Sequence, residues 1–184
     1  FREIFSMEEL KNWYQELLDA YHKWIAYSLS WKKERNASMT DLQFPFPYRE
    51  GQREIVSGVY HTISSKKTLF VQAPTGVGKT MSAIFPSVRA IGEGKGETLF
   101  YLTAKTITGT VAWEAFHTLR ENGLKFKVTA IIAKEKLCFL DSPECTPEKC
   151  PYAKGHFDRV NDAVYELWTT EEVYSREVIR AHAE

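Results

Sequence analysis

The octet Ala73-Pro74-Thr75-Gly76-Val77-Gly78-Lys79-Thr80 constrains this chain more than any other feature. It has the spacing of a phosphate-binding loop, with Ala73 standing where the general pattern has its first glycine. Gly76 and Gly78 let the backbone curl so that the amides of Thr75, Gly76, Val77 and Gly78 point at phosphate oxygens. A helix that starts immediately afterwards adds the partial positive charge of its N-terminus. In that frame Lys79 reaches the β- and γ-phosphates and the Thr80 hydroxyl ligates magnesium. Such a loop is meaningful between a strand and a helix. Thr68-Leu69-Phe70-Val71-Gln72 has the length and apolarity of a strand, and 81–91 has helical spacing. A nucleoside triphosphate, most simply ATP, is the ligand these residues imply, with Mg2+.

The surrounding pattern is of alternating elements. Thr98-Leu99-Phe100-Tyr101-Leu102 and 127–132 read as further strands, and 106–121, stopped by Asn122-Gly123, reads as a helix. Strands alternating with helices predict an α/β fold: a P-loop, RecA-like parallel sheet covered by helices. Upstream, Ser6-Met7-Glu8-Glu9 fits a capping box. Leu10, Leu17, Trp24 and Trp31 then recur at heptad spacing beside Tyr14 and Tyr21, an aromatic stripe on a helix of about seven turns. The polar run 36–41 and the prolines of Phe44-Pro45-Phe46-Pro47 place a boundary near residue 44. Beyond Ala133 the strand signal stops and 157–183 is helical apart from a break near Thr169-Thr170. The expected organisation is a helical connector over 1–43, the first part of a motor-like domain over 44–133 and a helical cysteine-containing insert over 134–184.

Charge is balanced, 24 basic against 24 acidic residues, so the whole-chain charge neither proposes nor excludes a nucleic acid. No apolar run approaches the roughly 18 residues that a membrane span needs, and the N-terminus lacks a signal-peptide pattern, so the expected compartment is the cytoplasm. The chain opens on Phe1 and ends without a helix stop signal, as a fragment cut at both ends would. Its 3 cysteines, Cys138, Cys145 and Cys150, lie close together. Their spacing lacks the Cys-x-x-Cys knuckle of common zinc sites, which leaves buried thiols, zinc and an iron–sulfur centre as alternatives. Gln52 lies upstream of the loop with an amide able to pair with an adenine edge, the plain alternative being a solvated helix-start glutamine. Thr103, Lys105 and Thr106 follow the second expected strand, where hydroxyls and an ammonium beside a helix N-terminus suit a phosphate backbone; a simple helix cap is the alternative.

Taken together, Tyr48-Arg49-Glu50-Gly51-Gln52, the 73–80 octet, Leu102-Thr103-Ala104-Lys105-Thr106, and Ala133-Lys134-Glu135-Lys136-Leu137-Cys138 with two later cysteines resemble the DinG/XPD-like iron–sulfur helicases of superfamily two. The resemblance covers roughly residues 44–184. It makes the initial Ala73 ordinary, gives Gln52 the adenine-reading role and gives Thr103, Lys105 and Thr106 a grip on single-stranded DNA. It implies an ATP-dependent DNA helicase moving 5′ to 3′ on single-stranded DNA, in repair or recombination, and a 4Fe-4S cluster on Cys138, Cys145 and Cys150 with a fourth ligand beyond Glu184. No Asp-Glu-x-His-like segment stands on a late strand here. The piece is therefore expected to bind nucleotide at best weakly and to be inactive in hydrolysis; the oligomeric state is left open, a monomer being the simplest expectation. Two other readings remain: a nucleotide-binding switch or docking module with structural zinc, and a P-loop kinase or transferase acting on a small molecule.

Overall fold

The structure is a computed structural model that describes residues 3–104, 106–140 and 144–183, with the backbone alone at 106–108. Along the chain run α1 (Met7–Asp41), α2 (Gln52–Ser64), α3 (Lys79–Gly92), α4 (Thr106–Glu121), β1 (Val128–Thr129), α5 (Lys134–Leu137), α6 (His156–Thr170), β2 (Val173–Tyr174) and α7 (Arg176–Ala183). They form two compact units, one of residues 30–126 and one built from the first part of α1, as far as Leu29, with the chain from Lys127 onward. Among the described residues no helix is long and apolar enough to cross a membrane.

The expected parallel sheet does not form. Among the described residues the strands are the two-residue β1 and β2, paired in parallel with Val128 opposite Val173 and Thr129 opposite Tyr174. Only part of 127–132 is strand, and neither 68–72 nor 98–102 joins a ladder. A short apolar run has the same appearance in sequence whether or not a neighbour pairs with it, because ladder bonds are non-local. Here Phe70 is 93% and Leu102 88% exposed, so these runs are not the buried strands that a helix-covered sheet requires. The RecA-like assignment falls with them, and the chain is predominantly helical. β2 itself lies past Ala133, where the sequence gives no strand signal.

In the unit of residues 30–126, α3 packs against both α2 and α4. Ile84, Val88 and Ile91 of α3, Ala112, Ala115, Phe116 and Leu119 of α4, and Leu124 and Phe126 are buried, with the rings of Phe116 and Phe126 stacked at 5.5 Å. Met39 and Leu42 complete this core. Their burial explains why α1 continues through 36–41, which the polar composition marks as a turn. Ser38 Oγ donates to the Arg35 carbonyl at 2.8 Å and Thr40 Oγ1 to that of Asn36 at 2.9 Å, so the hydroxyls bond to their own helix. Gly92 lets Met39 approach closely: a Cβ there would lie 2.5 Å from Met39 Cβ.

Helix ends follow local chemistry. Ser6 and Glu9 form the capping box reciprocally, the Ser6 amide donating to Glu9 Oε2 at 2.7 Å and the Glu9 amide to Ser6 Oγ at 3.2 Å. α4 ends at Asn122-Gly123: Gly123, at φ 94°, donates to Arg120, and Leu124 donates back to Leu119 at 3.0 Å. That is a Schellman motif, and a left-handed residue is what it needs.

The other unit has an aromatic centre. Trp24 stacks on Trp168 at 5.3 Å and meets Tyr165 edge-on, and the Tyr27 hydroxyl donates to the Trp168 carbonyl at 3.1 Å. Lys127 Nζ donates to the Glu171 carbonyl at 2.6 Å, closing the turn that precedes β2. The earlier part of the α1 stripe, Leu10, Tyr14, Leu17 and Tyr21, is exposed.

Candidate phosphate-loop site

Loop 73–78 leads directly into α3, whose first residue is Lys79. Gly76 and Gly78 hold φ at 85° and 81°, left-handed values that side chains resist, so both glycines are required by the path of the chain. A Cβ on Gly76 would meet nothing within 4 Å, which leaves open space over the middle of the loop. A Cβ on Gly78 would lie 2.5 Å from Gln52 Nε2. Val77 is buried and anchors the loop to the protein, while Thr75, Gly76 and Lys79 face solvent.

Lys79 Nζ donates to the carbonyls of Ala73 at 2.9 Å and Pro74 at 2.8 Å, so its ammonium is held across the start of its own loop. Ser82 Oγ donates to the Gly78 carbonyl at 2.9 Å and its amide to the same oxygen at 3.0 Å, fixing the first turn of α3. The amides at this helix start have no side-chain cap. Orphan donors, a dipole end and an ammonium are together suited to an anion of several oxygens. The residues fit a triphosphate: the four-residue backbone cradle, Lys79 as the point charge, and Thr80 as one oxygen ligand for a magnesium ion, which takes most of its other ligands from water and phosphate. A metal bound there would neutralise phosphate charge.

The turn before α2 packs on this loop. Gln52 is buried, its Oε1 accepting from the Arg49 amide at 3.0 Å while its Nε2 faces Gly78. The Arg49 guanidinium donates to the Gly76 carbonyl. Gln52 is thus brought to the loop, its amide fixed at Oε1 by the Arg49 N–H and its Nε2 set against Gly78. Arg49 and Tyr101 are loop contacts that sequence reasoning passes over: the Tyr101 hydroxyl donates to Thr80 Oγ1 at 3.3 Å. Arg49 stands inside a motif already singled out, but an arginine's partner carbonyl is not visible in a sequence. Tyr101 sits in an apolar run that reads as strand interior. Thr103 is exposed two residues further on; Lys105 and the side chain of Thr106 lie outside the described residues.

The cysteines are placed differently from one another. Cys150 is buried, Cys138 half-buried and Cys145 exposed. The Leu140 amide donates to Cys138 Sγ at 3.4 Å and Arg180 Nη1 to the Cys138 carbonyl at 3.5 Å. A hydrogen bond to Cys145, reinforced by the charge of its thiolate form, pushes the Lys134 ammonium above the ordinary lysine range. Among the described residues no three His, Cys, Asp or Glu side chains gather closely enough to hold a metal ion. As placed, these thiols do not fit a cluster.

A stretch of 47 residues is 43% identical to a probable ATP-dependent helicase of Methanocaldococcus jannaschii. The match covers 25% of this chain and 7% of the relative, so the chain spans a small part of that protein's length. No family model matches the chain, and no solved structure matches it.

Proposed function

We propose that this chain is the ATP-binding portion of an ATP-dependent helicase, with the triphosphate seated on loop 73–80 and Mg2+ on Thr80. The observation that carries the reading is the loop itself: two left-handed glycines, open space over Gly76 and the Lys79 ammonium, all at the N-terminus of α3. The local identity to an ATP-dependent helicase supports the same class of ligand. In the finer version, the whole enzyme moves 5′ to 3′ on single-stranded DNA, which Thr103, Lys105 and Thr106 grip by its phosphates. An enzyme of that kind serves repair or recombination.

Equilibrium binding of a fluorescent ATP analogue to the chain tests the first statement. Lys79→Ala removes a charge-assisted contact of about 1.5–3 kcal/mol and is expected to weaken binding about tenfold or more. Equal affinity of variant and parent would overturn the reading. For the whole enzyme the expected result is ATP turnover stimulated by single-stranded DNA. Nucleotide binding with no response to DNA would put a nucleotide-gated docking module in its place.

A further inference from the structure

We propose that Tyr101 is a positioning residue for Thr80, holding its hydroxyl ready for the magnesium ion of the bound nucleotide. The inference rests on the phosphate-loop reading above and adds to it a residue outside the loop.

A threonine in the first turn of a helix divides its hydroxyl between two rotamers, because Oγ1 can bond back to a carbonyl three or four residues earlier. For Thr80 the fourth residue back is Gly76. The Gly76 carbonyl already accepts from the Arg49 guanidinium, which makes it a poorer acceptor for Thr80. From the other side, the Tyr101 phenol donates to Thr80 Oγ1 at 3.3 Å. A hydroxyl oxygen has two lone pairs and one proton. With Tyr101 filling one lone pair, the other is left for a cation and the proton for a neighbouring oxygen. Two neighbours therefore act on one hydroxyl, Arg49 by occupying the competing acceptor and Tyr101 by donating to the oxygen.

Tyr101 is partly exposed, and the segment 98–102 forms no ladder, so the contact is not a by-product of a buried sheet. Among the described residues the Tyr101 phenol makes no hydrogen bond to the loop backbone. Its removal is thus expected to act on the metal-dependent part of binding and to leave the anion cradle unchanged.

The experiment compares the affinity of a fluorescent ATP analogue with magnesium and with EDTA, for the chain and for Tyr101→Phe, Thr80→Val, the double variant and Lys79→Ala. Tyr101→Phe keeps the ring, so folding is retained. Expected for Tyr101→Phe is a metal-free affinity within about twofold of the parent and a magnesium-induced gain about fivefold smaller, the worth of one hydrogen bond. Thr80→Val reduces the gain at least as much, and adding Tyr101→Phe to it changes nothing more, as contacts acting through one atom require. A full magnesium gain in Tyr101→Phe, an equal loss with and without magnesium, or additive effects in the double variant would each overturn the inference while leaving the phosphate loop intact. An affinity unaffected by Lys79→Ala would overturn the phosphate-loop reading and this inference with it.

Discussion

Lys66 holds φ at 53°, a left-handed value that costs a residue with a Cβ about 1–2 kcal/mol. It does so to end α2: its amide donates to Ile63 at 3.1 Å and the Lys67 amide to Thr62 at 3.0 Å, the same arrangement that Gly123 makes after α4. Lys66→Gly removes the strain but adds freedom to the unfolded chain, so a net stabilisation of about 0.5–1 kcal/mol is expected, read as a higher urea midpoint at unchanged slope. At this scale sequence reasoning sees some things and not others. The Gly76 and Gly78 requirement is legible because glycine is the residue for such angles. The Lys66 strain is not, since nothing about a lysine announces it. Nor are the Arg49 and Tyr101 contacts with the loop, which depend on chain segments meeting across 27 and 21 residues of sequence.

Elements were readable wherever their signals are local. The capping box at Ser6, the bounds of α4 and its Gly123 stop follow from neighbours a few residues apart. Two failures share one cause. The run 36–41 is polar, yet Met39 and Leu42 draw it into a core and the helix persists. The runs 68–72 and 98–102 are apolar, yet they lack a ladder. In both, tertiary surroundings decide over composition. The second part of α1 is also tied down by charge: Lys125 bonds Glu34 at 2.7 Å, Lys32 bonds Glu97 at 2.7 Å and Arg35 reaches Glu97 at 3.3 Å. The hydrogen bond from Lys125 holds Glu34 below the usual carboxylate range, and the hydrogen bonds from Lys32 and Arg35 do the same for Glu97. A depressed folded-state pKa contributes stability above the unfolded value, near 4.3, and loses it as pH falls through the folded value. Chemical denaturation is therefore expected to show less acid destabilisation below about pH 4 in Glu34→Gln/Glu97→Gln than in the parent, and the difference should shrink in high salt.

At the scale of the molecule, burial is unevenly distributed. Among the described residues, Cys150 aside, the buried apolar residues belong to the unit of residues 30–126, which also holds the phosphate loop. The loop therefore stands on the better packed part of the protein, whereas the cysteines stand on the unit organised around Trp24, Tyr165 and Trp168. That unit's parallel pair joins residues 45 apart along the chain, a separation no periodicity reports. Within the better packed unit, Gly92→Ala is expected to cost about 1–3 kcal/mol, through overpacking against Met39, and to lower the melting temperature accordingly. The added carbon would press on Met39 Cβ at 2.5 Å and on the Met39 backbone and Asn36 carbonyl at 3.4 Å, atoms that every substitution at 39 except glycine retains. A genetic screen for suppressors of Gly92→Ala should for that reason return no trimmed side chain at position 39. Compensating changes should instead arise elsewhere and raise stability generally, because the Cβ and main-chain atoms in the way are common to every residue but glycine at position 39.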